Sequence, residues 1–119
     1  ASKKTLEMVD SLFEILKTID SQLVLKYNKF YIGLSRDDQP FLFVDFKPQK
    51  TWLRLEIRLP ESDETTEKIW KSKIELLDYS TRYGQYIIRL SKEDIEHNKD
   101  LLNDLFLEAY TDFGGEIAI

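Results

Sequence analysis

The sequence contains no cysteine, a single histidine, four glycines and three prolines. Without thiols, cysteine nucleophiles, disulfide staples and thiolate metal sites are all excluded, which fits a reducing cytoplasm. One imidazole, His97, cannot build a multi-histidine metal centre. As a general base it would need an oriented nucleophile nearby, and no pattern supplies one, so it reads as a solvated helix residue. Gly33, Gly84, Gly114 and Gly115 are scattered at element boundaries, so neither the dinucleotide fingerprint nor the Walker phosphate loop is present. No apolar run approaches bilayer length, and "ASKKTLEMVD" lacks the greasy segment of a signal peptide. The expectation is a soluble cytoplasmic protein without membrane contact. A start at Ala1 rather than Met, and an end in "GGEIAI", fit the excised C-terminal domain of a longer protein.

What is there bounds the rest. A chain of 119 residues fills one hydrophobic core, so residues 1–119 are expected to form a single domain. Nowhere are Gly, Pro or Ser dense enough to mark an internal linker. A formal charge of -5 argues against a whole-surface grip on nucleic acid, which depends on neutralising phosphates, but leaves room for a local basic patch.

Leu6, Val9, Leu12, Phe13, Leu16 and Ile19 recur at helical spacing, with Ser2 or Thr5 as cap. Tyr27–Leu34 is expected as a first strand, "SRDDQP" as a turn, Phe41–Lys47 as a second strand and Trp52–Leu59 as a third. Pro48, which lacks a backbone donor, belongs to the connection between the last two, making them an antiparallel hairpin. Ser62 or Asp63 starts a short helix carrying Ile69 and Trp70. Residues 74–79 read equally as strand or loop. "QYIIRL" after Gly84 forms a fourth strand. Ser91 and Asp94 have capping-box spacing ahead of a long helix lined by Ile95, Leu102, Leu105, Phe106, Ala109, Tyr110 and Phe113, which Gly114-Gly115 ends. The expected class is α+β: a mostly antiparallel sheet of about four strands, with two main helices covering one face.

The other sheet face is the candidate surface. If Leu53, Leu55, Ile57 and Leu59 point to the core, then Trp52, Arg54, Glu56 and Arg58 point away. On the neighbouring strand Asp45 and Lys47 are phased with Phe43. Phe43, Lys47, Lys50, Trp52, Arg54 and Arg58 thus make an aromatic and basic surface. It suits single-stranded nucleic acid, where bases stack on rings and cations meet phosphates. It also suits a protein partner or self-association, for which Trp and Arg are favoured anchors. The structural alternative is a solvated face of cross-strand ion pairs.

Asp45-Phe46-Lys47 carries the one hint of catalysis. A strand-borne Asp-x-Lys is half of a metal-dependent nuclease site, with Asp37 or Asp38 as the second acid and Glu14 as a further oxygen ligand. The pattern is three residues long and reads as readily as a salt-bridged strand. Glu61, Asp63, Glu64 and Glu67 suit a helix N-terminus, where negative charge is favourable. Tyr79, Arg82, Tyr83 and Tyr86 form a candidate pocket rim beside the last strand. No constellation brings nucleophile, base and stabiliser together, and no cofactor is implied.

"FVDFKPQKTWLRLEIRLP" and "IIRLSKEDIEHNKDLLNDLFLEAY" together resemble a bacterial family of uncharacterised domains, over roughly residues 6–112. Its members often stand at the C-terminus of longer proteins, some labelled predicted transport proteins and some joined to restriction- or nuclease-like domains. Pro48, Lys50, Leu53, Leu55, Ile57 and Tyr110 hold the matching places. Where the family pattern carries a Gly-His pair, this chain has "STRYGQY". The resemblance implies a non-catalytic accessory module recognising a protein partner, or nucleic acid, for an attached effector.

Overall fold

The computed structural model describes residues 2–114, and among them seven strands and four helices. The chain runs α1 (Lys3–Ile19), β1 (Val24–Tyr27), β2 (Ile32–Arg36), β3 (Gln39–Pro40), β4 (Val44–Pro48), β5 (Leu53–Arg58), α2 (Asp63–Ser72), β6 (Glu75–Ser80), β7 (Gln85–Leu90), α3 (Lys92–His97) and α4 (Lys99–Asp112). All strands pair antiparallel in one sheet, ordered β1-β2-β4-β5-β7-β6, with β3 beside β2 off that path. The class is α+β, but the expectation of four strands and two main helices is overturned.

Pro48, expected in the connection, instead ends β4 opposite Leu53, and local chemistry explains the larger departures. The expected strand Tyr27–Leu34 is a hairpin: Asn28 N–H donates to Tyr31 C=O at 2.9 Å, and Tyr27 comes to face Ile32. Both arms carry the same branched and aromatic residue types, so composition hides the turn. In "SRDDQP" Asp37 and Asp38 have φ of 54° and 62°. Two consecutive left-handed residues are what the tightest hairpin requires, and they return the chain as β3. Residues 75–80 are a true edge strand whose register slips between Leu76 and Asp78, which blurs its alternation. The long C-terminal helix breaks at Asn98 (φ -129°, ψ 31°), whose side-chain Nδ2 donates to the Asp94 carbonyl at 2.9 Å. Gly115 and the "GEIAI" end lie outside the described residues.

The helices start where side chains satisfy their free N–H groups. Ser2 with Thr5 and Ser91 with Asp94 form reciprocal capping boxes, and Ser62 caps α2 by accepting from Thr65 N–H. Val9, Leu12 and Leu16 of α1 and Leu102, Leu105 and Phe106 of α4 pack with Phe46, Leu53, Leu55, Ile57 and Ile88 of the sheet, all buried. Each such side chain contributes about 1.5–3 kcal/mol by leaving water. Tyr86, fully buried on that same face, holds α2: its hydroxyl accepts from Ser62 N–H at 2.9 Å and lies 2.9 Å from Thr66 Oγ1. Helices therefore cover one face from β4 to β6.

A polar staple closes one end of the core. Tyr110 Oη donates to Asp20 Oδ2 at 2.7 Å, and Arg36 Nε lies 2.8 Å from the same oxygen. Burial pushes the Asp20 carboxyl up, but hydrogen bonds from Tyr110 and Gln22 and the Arg36 charge outweigh it and hold its pKa below 3.8. α1, β2 and α4 meet there.

Candidate functional surface: the open sheet face and its free edge

Period two along β4, β5 and β7 turns Asp45, Lys47, Arg54, Glu56, Arg58, Ile87 and Arg89 away from the helices. Asp45 stands directly across from Glu56, Lys47 across from Arg54, and Arg54 across from Arg89. Like charges oppose one another, and Glu56 offsets part of the cationic charge, diagonally from Lys47 and along β5 from Arg54. Glu56, only 5 % exposed, is the hub: Lys47 Nζ lies 3.1 Å from its Oε1, and Arg54 Nε lies 2.9 Å from its Oε2.

The two facing carboxyls cannot both ionise cheaply in this half-buried setting. Burial, together with the hydrogen bond to Glu56 and its charge, pushes Asp45 from 3.8 up to about 7, against the opposing pull of Lys47 and Arg58. For Glu56, burial also pushes up, but hydrogen bonds from Asp45, Arg54 and Lys47 prevail and hold it below 4.5. Below about pH 7 Asp45 holds the proton and Glu56 carries the charge.

The predicted site residues are only partly brought together. Lys47, Arg54 and Arg58 are half-buried on the open face. Trp52, just ahead of β5, joins them, but the Arg89 guanidinium lies 4.5 Å from its ring centroid and covers it. Lys50 is exposed in the β4–β5 turn. Phe43 is not on this surface: it precedes β4, where strand alternation does not yet apply, and it is fully buried. Its ring meets Phe41 and Tyr110 edge to face at 5.5 and 5.4 Å. Of the expected pocket rim, Tyr79, Arg82 and Tyr83 border a groove of about 410 Å³ that also touches Lys47, Arg54 and Glu56. Tyr86 does not, because its phase places it beneath α2.

For the Asp45–Lys47 pair, the acid that converges is Glu56 on β5. Asp37 and Asp38 sit in the β2–β3 turn and Glu14 is exposed on α1, so none of the three joins Asp45. Among the described residues no group of three or more His, Cys, Asp or Glu side chains is placed to hold a metal ion. His97 is exposed at the end of α3.

A second surface was not singled out by motif. β1 is an edge strand, and its hairpin carries Val24, Tyr27 and Phe30 at 56 %, 61 % and 79 % exposure. Trp70 on α2 and Tyr83 in the β6–β7 turn are also exposed, each on a separate element. Residues 21–36 hold Lys26, Lys29 and Arg36 and no Asp or Glu, in a chain whose net charge is -5. Neither Lys26 nor Lys29 is in an ion pair among the described residues. That acid-free stretch is the signal in the sequence that marks the edge.

Residues 1–112 match a family model described as a domain of unknown function, DUF5655, and the chain belongs to that family. No curated protein and no solved structure matches it. Among the described residues no helix is long and apolar enough to cross a membrane.

Proposed function

We propose that this domain is a non-catalytic recognition module that binds a protein partner through the β1–β2 hairpin. One contrast carries the reading. On the open face two of the four cations and the Trp52 ring are already engaged: Glu56 holds Lys47 and Arg54, and Arg89 covers Trp52. Tyr27 and Phe30 on the hairpin are both large and exposed. Aromatic residues of this kind are favoured anchors at protein interfaces. The family match neither names an activity nor argues against this role.

Nucleic-acid binding is the second reading, favoured by Lys47, Arg54, Arg58 and Arg89 sharing one face. A nuclease is a more distant third, since among the described residues no third acid joins Asp45 and Glu56 to hold a metal ion. Fluorescence anisotropy with labelled single- and double-stranded DNA and RNA separates the first two readings. The module reading expects no saturable binding at physiological salt. Saturable binding abolished by Trp52→Ala, Arg54→Ala and Arg58→Ala together would overturn it in favour of nucleic acid.

A further inference from the structure

We infer that the free edge of β1 takes a partner's acidic, extended segment as an added antiparallel strand. This rests on the protein-recognition reading and says what the hairpin recognises. Asn28 N–H bonds to Tyr31 C=O, and Leu34 C=O, on the far side of β2 from β1, accepts from Phe41 N–H. Antiparallel alternation from those two bonds directs the backbone of Lys26 at Gly33 and turns the N–H and C=O groups of Leu25 and Tyr27 outward. A sheet edge with outward donors and acceptors is the template for strand addition.

The opposite edge does not offer the same template. β6 carries a register slip between Leu76 and Asp78, and acidic Glu75 and Asp78 are exposed on it. Such irregularity and charge are how sheet edges are kept from pairing. In β1 the four pairs to β2 run without a slip, and no proline interrupts the strand.

Charge selects the occupant. A second copy paired antiparallel along β1 through the outward groups of Leu25 and Tyr27 would bring Lys26 directly opposite its own equivalent, and like charges facing across strands are destabilising. An acidic segment meets Lys26 and Lys29 favourably. Alongside, a hollow of about 310 Å³ opens on the face that carries Lys26, lined by Tyr31, Ser35 and Leu42 among others. Gly33 shapes that face: a Cβ there would stand 2.7 Å from Leu42 Cδ2 and 3.1 Å from Tyr31 Cε2, so both side chains lie across the strand where a larger residue would be. Alternate apolar side chains of an added strand have a place to rest between Leu42, Tyr31 and exposed Val24. Asp38 also borders the hollow and disfavours an acid at that one position.

The test is selection of a random twelve-residue peptide library on the intact domain, followed by NMR mapping of the enriched peptides on labelled protein. Expected are peptides alternating Asp or Glu with branched or aromatic residues, with the largest amide shifts at Val24–Tyr27. Lys26→Glu with Lys29→Glu is expected to weaken them by about tenfold or more. Tyr27→Pro, which removes an outward N–H, is expected to abolish binding while the remaining amide pattern is kept. Neutral or basic peptides, shifts centred elsewhere, no enrichment, or a concentration-dependent dimer lost in the lysine variant would each overturn the strand-addition account. A natural partner whose binding ignores both variants would sink this edge yet leave the recognition module standing.

Discussion

Asp45 and Glu56 are direct cross-strand partners on β4 and β5, and the next pair along the same face, Lys47 with Arg54, is also of like charge. Each pair taken alone is unfavourable. Together they hold because Glu56 reaches diagonally to Lys47 and along its own strand to Arg54 while Asp45 holds a proton below about pH 7. A face that looks basic in the sequence therefore has two of its cations, Lys47 and Arg54, tied to one buried carboxylate.

That proton makes stability depend on pH. The folded chain holds it up to about 7, whereas the ordinary Asp value is 3.8, so between these the folded state binds more protons than the unfolded. The contribution is full below the unfolded value and is lost as pH rises through the folded one. Glu56 is displaced the opposite way, and its stabilisation is lost only as pH falls below 4.5. Chemical denaturation should show stability falling from about pH 4 to 7, and Asp45→Asn should flatten that fall, gaining about 1–3 kcal/mol at the upper end. A profile unchanged by the substitution would contradict the shared proton.

Glu56→Gln removes the hub. Its partners are 37 % exposed at their side chains, so water takes up part of their charge and the loss is moderated. A cost of about 1–3 kcal/mol in unfolding free energy is expected. The same change should free Lys47 and Arg54, and the variant should bind nucleic acid more tightly than the native chain, in a salt-sensitive way. Anisotropy at low salt reads the gain.

Tyr110→Phe deletes the hydroxyl that bonds Asp20 across the α1, β2 and α4 junction. The buried carboxylate keeps Arg36 and the Gln22 N–H, so the expected loss is about 1–2 kcal/mol rather than collapse. Urea titration checks it.

Much of this was legible in the sequence for stated reasons. Alternation in "LRLEIRL" and the capping residues Ser62 and Ser91 located β5, α2 and α3 because those signals are local. The β1–β2 turn was not legible, since Asn28–Tyr31 sits between arms of identical character. Nor was the break at Asn98, since the apolar stripe runs on through it. On the surface, Trp52 and the arginines were placed from strand phase, but their engagement by Arg89 and Glu56 is a property of strand order. Phe43 fell outside the strand whose phase was applied to it. The edge hairpin was marked only by the missing acids in residues 21–36, a weak signal until β1 is seen to have no outer neighbour.

The central claim is that the hairpin, not the charged face, makes the domain's contacts. Its most direct test is quantitative affinity capture from the native host, comparing the native domain with a Tyr27→Ser, Phe30→Ser variant and with a Trp52→Ala, Arg54→Ala, Arg58→Ala variant. Both variants alter exposed or half-buried side chains and are first checked for native circular dichroism. The account predicts a protein partner captured in stoichiometric amount, lost with the hairpin variant and retained with the face variant. Retention by the hairpin variant with loss from the face variant would contradict it.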